Sequence, residues 1–175
     1  DVTTGSSGVT IAVVDTGANL KDTRLESHLC STGHKDFTNE GLTDIVGHGT
    51  HIAGTIIENA GTGNYCLIIL KYYMTPDTRT GRIKKLIASY YWAIQQGATV
   101  INYSGGGDVE FVMDEYTLMA SNPEVTFVVS AGNEGVNLDD FPKYPAMYEL
   151  DNVRVVGCWN NDTRCKFYNN TGSNY

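Results

Sequence analysis

Five short runs rich in apolar, β-branched residues recur along the chain, at 9–14, 67–72, 99–103, 126–130 and 153–158. Each stops at a polar or glycine-rich turn, which is the pattern of buried strands. Between them the apolar positions change period. Ile83, Leu86, Ile87, Tyr90, Tyr91 and Ile94 fall at helical spacing and Gly97 supplies a stop. A second helix carries Val112, Met113, Tyr116 and Met119 and ends at Asn122-Pro123. A third begins near His48 and carries Ile52, Ala53, Ile56 and Ile57. Continuous apolar strands alternating with amphipathic helices predict an α/β fold, its sheet mostly parallel and covered on both faces. In such folds ligands gather at the carboxyl ends of the strands. Asp15 ends the first run, Ser104-Gly105-Gly106-Gly107 follows the third, and Ser130-Ala131-Gly132-Asn133 follows the fourth.

Composition narrows the field. The 175 residues suit a single domain spanning 1–175. Twelve Lys and Arg against 20 Asp and Glu give a net charge of −8, which excludes a general nucleic-acid binder. The apolar run at 66–70 is far short of a bilayer span, so no membrane span is expected. A soluble and already processed chain, without a charged-then-apolar leader, is the expectation. The four cysteines include no Cys-x-x-Cys pair. Cys158 and Cys165 flank a turn-rich stretch between two strand-like runs, where a hairpin would suit a disulfide; two buried free thiols are the competing reading. The pairing of Cys30 and Cys66 is left open. Asn161-Asp162-Thr163 and Asn169-Asn170-Thr171 fit the N-glycosylation pattern. A secreted, extracellular or periplasmic protein is the expectation.

Taken singly, the polar groups at the strand ends are ambiguous. Asp15 serves equally as a turn or cap residue, and His48 and His51 as a capped helix start. Asn133 suits the left-handed backbone of a tight turn. As a set they suggest chemistry. A strand-end carboxylate beside a histidine would fix the imidazole tautomer and stabilise its cation, as a general base requires. Gly49 would let a neighbouring chain approach closely. The Asn133 amide would point at a developing oxyanion, and Ser104 with its glycines would offer bare backbone to an extended peptide.

Val13-Val14-Asp15-Thr16-Gly17, His48-Gly49-Thr50-His51-Ile52-Ala53-Gly54, Asn102-Tyr103-Ser104-Gly105-Gly106 and Ser130-Ala131-Gly132-Asn133-Glu134-Gly135 occur in the order used by the subtilisin-like serine proteases. The resemblance continues through Tyr144-Pro145-Ala146 and Val153-Arg154-Val155-Val156-Gly157. It implies a three-layer subtilisin-like fold and a partial catalytic domain acting on peptide or protein substrates. Asp15 matches the triad aspartate, His48 the general base and Asn133 the oxyanion side chain. Ser104, Gly105 and Gly106 resemble the backbone edge that binds substrate near P1, and Ser130, Ala131 and Gly132 the opposite wall. The stretch near residues 81–83 would bind substrate on the non-primed side. No cofactor is implied. Calcium commonly stabilises the family, but its ligands vary and no site is placed here.

One element of the resemblance is missing. The family orders its triad Asp, His, Ser, with the serine in a Gly-Thr-Ser-like motif that this sequence lacks. Ser173, the only serine after Asn133, resembles instead the hairpin end that precedes the serine helix. The nucleophile is therefore expected on a complementary C-terminal segment, and residues 1–175 alone are expected to be inactive. A non-catalytic peptide-binding relative is the main rival. An aspartic protease half-site at Asp15-Thr16-Gly17 leaves the His48 segment unexplained, and zinc held by Asp15, His48 and His51 lacks a third helical ligand. For P1 preference, Glu134, Asp139 and Asp140 are read as solvated loop charges, with selection of a basic residue the competing reading.

Overall fold

In the computed structural model, which describes residues 8–73, 77–106, 110–160, 163–166 and 171–175, the first apolar run forms strand β1 (Val9–Asp15). It belongs to the first of two compact units, Asp1–Ile101 and Asn102–Tyr175. The first unit continues with α1 (Thr23–Glu26), β2 (Lys35–Asp36), α2 (His48–Ala60), β3 (Tyr65–Lys71) and α3 (Arg79–Gln95). Strand β4 (Val100–Tyr103) crosses the boundary. The second unit holds α4 (Met113–Ala120), β5 (Thr126–Ser130), β6 (Val153–Val156), β7 (Trp159–Asn160) and β8 (Thr163–Arg164).

In the first unit β3 lies between β2 and β1, and both pairings are parallel. The β1–β3 register runs from Val9 opposite Tyr65 to Asp15 opposite Lys71, so both strands end level. Ala12, Val13 and Val14 of β1 and residues Leu67, Ile68, Ile69 and Leu70 of β3 are buried, as strands covered on both faces require. Val13, Leu67 and Ile69 form one apolar cluster with Ala18, Leu25 and Ala53, and Ile52, Ile56 and Ile57 of α2 pack against it. The same face thus fixes which way the first turn of α2 points.

Helix α3 is capped by Thr78, whose hydroxyl accepts from the Gly81 amide at 3.0 Å. Its buried face is Leu86, Ser89, Tyr90 and Ala93. Tyr91, expected on that face, is 57% exposed, because small Ser89 and Ala93 fill the seam instead. Likewise Met113 is exposed at the start of α4, whose buried residues are Glu115 and Met119.

In the second unit β5 and β6 pair in parallel, from Phe127 opposite Val153 to Ser130 opposite Val156. Buried Asn152 anchors the entry to this pair: its amide nitrogen reaches the carbonyls of Met119 and Asn122 at 2.9 Å and Val125 at 3.1 Å. Strand β6 is shorter than expected, and Val155 and Val156 are exposed. Strands β7 and β8 form the expected antiparallel hairpin, closed by a Cys158–Cys165 disulfide. A second disulfide joins Cys30 to Cys66. There the chain at 28–30 runs beside β3, with Cys30 N donating to Leu67 O at 3.0 Å and Leu67 N to His28 O at 2.7 Å. Asn161, Asn169 and Gly107, singled out in the sequence, lie outside the described residues. Among the described residues, no helix is long and apolar enough to cross a membrane.

Candidate active site

The end of β1 meets the start of α2. Asp15 is the last residue of β1 and His48 the first of α2. His48 Nδ1 lies 2.8 Å from Asp15 Oδ1, and that oxygen also accepts from the Thr16 amide at 2.7 Å. Asp15 is buried, whereas the His48 side chain is 49% exposed. The carboxylate therefore engages the inner ring nitrogen. A proton held on Nδ1 leaves the Nε2 lone pair free to act as a base.

Close approach makes this geometry possible. Gly49 N donates to Thr16 Oγ1 at 3.0 Å, and a Cβ on Gly49 would overlap the Gly17 carbonyl oxygen and sit 3.1 Å from Asp15 Cβ. The strand end and the helix start are in backbone contact, with no room for a side chain between them. His51 is exposed one turn further along α2. Among the described residues no group of three or more His, Cys, Asp or Glu is arranged to hold a metal ion.

The second unit assembles the other predicted residues. Ser130 Oγ donates to the Gly105 carbonyl at 2.8 Å, and Asn102 Nδ2 donates to Ser104 Oγ at 2.9 Å. A Cβ at Gly106 would stand 3.4 Å from Ser130 Oγ. The segment 104–106 thus lies against the end of β5. Beyond it, Ala131 N donates to Val156 O at 2.9 Å, Gly132 turns at φ +101°, and Asn133 is exposed. Residues 81–83, also singled out in the sequence, lie near the start of α3 in the first unit.

Several residues were not found by reading the sequence. Asn174, 3% exposed, spans the turn that carries Asn133: its Nδ2 donates to Ala131 O and Glu134 Oε2, its Oδ1 accepts from Val136 N, and its own amide donates to Gly132 O. Glu134 Oε2 also accepts from the Asn133 amide, and Lys143 Nζ lies 4.0 Å from Oε1. Partial burial pushes the Glu134 carboxyl up, but the hydrogen bonds from Asn174 and the backbone, with Lys143 nearby, outweigh it and hold the group below its ordinary range. Asp139 and Asp140 are exposed loop residues. In the first unit, Asp44, Thr16 and Thr50 surround the start of α2 with hydrogen bonds. Thr16 and Thr50 fall within the quoted motifs, which gave them no role of their own, and the only signal for Asp44 is its position four residues before His48.

A family model described as Subtilase family matches residues 6–175. The chain is 30% identical over 178 residues to the subtilase-type proteinase psp3 of Schizosaccharomyces pombe, covering 97% of this chain and 38% of that protein. It is 30% identical over 186 residues to an intracellular serine protease of Paenibacillus polymyxa, covering 97% of this chain and 55% of the other. Among solved structures, a lanthipeptide protease matches 95% of this chain and 52% of its own with a TM-score of 0.74 at 24% identity. That likeness carries the fold alone, and it is the mostly parallel α/β class. The chain spans about half or less of the length of these relatives.

Proposed function

The chain belongs to the subtilase family, and we propose that it contributes the Asp–His half of a serine endopeptidase site whose nucleophilic serine is supplied from outside residues 1–175. The observation that carries this reading is the 2.8 Å contact between buried Asp15 and half-exposed His48, which joins a tautomer-fixing carboxylate to an accessible base. A serine Oγ attacks the peptide carbonyl carbon while His48 Nε2 takes its proton. Asp15 stabilises the resulting imidazolium. The Asn133 side chain, with a backbone N–H, receives the oxyanion. Collapse of the tetrahedral species breaks the C–N bond, and His48 returns the proton to the leaving amine. Water then repeats the sequence against the acyl ester.

Ser104, Gly105 and Gly106 offer an extended backbone edge to the substrate, and Ser130, Ala131 and Gly132 form the facing wall near P1. This route uses side chains and backbone only, so no cofactor takes part. Exposed Val155, Val156 and Trp159 support packing against a further polypeptide segment. The two disulfides support residence in an oxidising compartment.

The test is denaturing intact-mass analysis of the native preparation, with and without reductant, combined with labelling by a fluorophosphonate. A phosphonate adduct on a Gly-Thr-Ser serine outside residues 1–175, abolished by His48→Ala, is the expected result. A native preparation that binds peptide but takes no label is a peptide-binding relative, and the catalytic reading falls.

A further inference from the structure

Helix α2 has an unusual start. Its N-cap is Gly47, which has no side chain to receive the free amides of the first turn, and its first residue is His48. The missing acceptor comes from Asp44. Oδ1 accepts from the amides of Val46 at 3.1 Å and Gly47 at 2.8 Å, and from Thr16 Oγ1 at 2.9 Å. Oδ2 accepts from the Thr50 amide at 2.8 Å and from Thr50 Oγ1 at 2.7 Å. Each hydroxyl passes the bond on. Thr16 Oγ1 accepts from Gly49 N, and Thr50 Oγ1 accepts from Asn19 N, both at 3.0 Å. One carboxylate thus binds both sides of the Asp15–His48 contact: the segment that leaves Asp15 and the backbone on either side of His48.

Apolar packing does not hold this turn, since Ile45 and Val46 are 71% and 55% exposed. Polar bonds do, and the neighbouring backbone is fixed as well. Ala18 N donates to Leu42 O at 3.0 Å, and buried Lys71 donates through Nζ to Thr43 O at 2.8 Å. A negative charge at a helix start is favourable in its own right.

We infer that Asp44 is a positioning residue for proteolysis, setting the angle at which His48 meets Asp15. This rests on the proposed role of that pair. Asp44 makes no hydrogen bond to either side chain and acts through the backbone and two threonines. A misplacement on the order of 1 Å costs about a hundred-fold in rate, so losing this brace should lower kcat and leave KM nearly unchanged.

The test uses the complete protease, with kcat expressed per site counted by end-point fluorophosphonate labelling. Asp44→Ala should lose about a hundred-fold in kcat with KM within about twofold. Asp44→Asn keeps an acceptor for one side only and should fall between it and the parent. Thr16→Val, which cuts the relay to Gly49 and preserves bulk, should lose about tenfold and decides the matter if the Asp44 variants do not fold. The low-field NMR resonance of the His48 Nδ1 proton should broaden in each. If Asp15→Asn abolishes turnover while Asp44→Ala and Thr16→Val keep kcat per labelled site within about twofold, the inference is overturned, even if thermal stability drops. If Asp15→Asn leaves turnover unchanged, the reading of the pair itself fails and takes this inference with it.

Discussion

At Gly49 a single hydrogen atom decides whether strand and helix can meet. A Cβ there would overlap the Gly17 carbonyl oxygen, which is backbone and has nowhere to turn. Gly49→Ala should therefore cost about 3 kcal/mol of stability, as overpacking against an immovable group does, and should also lengthen the Asp15–His48 contact; urea unfolding and kcat check the two effects. Asp44 illustrates a different residue-scale effect, one of charge. Burial pushes its carboxyl up, but the hydrogen bonds from Thr50, Gly47 and Thr16 outweigh it and hold it below the ordinary 3.8. Between that lowered folded value and 3.8 the unfolded chain binds more protons than the folded one, so stability rises with pH across the window. The contribution is complete above the ordinary value and is lost as pH falls through the folded one. Asp44→Asn should accordingly lose less stability between pH 5 and pH 3 than the parent does, and equal losses would count against the hydrogen-bonded carboxylate.

At the scale of elements, local patterns were readable, and pairings distant along the chain were readable only where the resemblance joined them. Helix α2 was readable because Ile52, Ala53, Ile56 and Ile57 fall at helical spacing and pack on one apolar cluster. The Asp–His contact was legible because a strand end and a glycine-flanked helix start are local signals that the resemblance joined. Asp44 was missed because no residue pattern marks its bonds to Val46, Gly47 and Thr50 and its bond to Thr16 spans 28 residues, and Asn174 because Ala131 is 43 residues away. No periodicity encodes such bonds. Val155 and Val156 misled in the opposite sense: their apolar run promised a buried strand, yet both are exposed. Asn174 yields a test of this long-range kind. Asn174→Ala removes the brace from the turn 131–136 and should lower kcat about tenfold in the complete enzyme, as a smaller displacement than the hundred-fold case implies. The disulfides differ by loop length in the same spirit. Cys30–Cys66 closes a separation of 36 residues and Cys158–Cys165 one of 7. Chain-entropy reasoning assigns about 4 kcal/mol to the first and about 2 kcal/mol to the second. Replacing each pair by alanine and measuring urea unfolding should give that order, and the reverse order would show that native packing around the hairpin outweighs loop closure.

For the molecule as a whole, the question is whether residues 1–175 can work alone. The family's triad is ordered Asp, His, Ser, and this sequence supplies candidates for the first two together with the oxyanion amide. Val155 and Val156 on β6 and Trp159 on β7 expose apolar surface in the second unit, where water would otherwise have to cover side chains suited to burial. A net charge of −8 keeps such a chain dispersed, but it does nothing to shield that surface. A polypeptide of residues 1–175 prepared by itself should therefore bind the apolar dye ANS strongly, take no fluorophosphonate and cleave no peptide. Adding the serine-bearing segment should suppress dye binding and bring back phosphonate labelling together, because the proposal assigns both the missing nucleophile and the missing cover to one segment. If labelling returned while dye binding stayed high, the segment would complete the chemistry without covering β6. Hydrolysis by residues 1–175 alone, abolished by His48→Ala, would place a nucleophile within this chain and refute the division of the site.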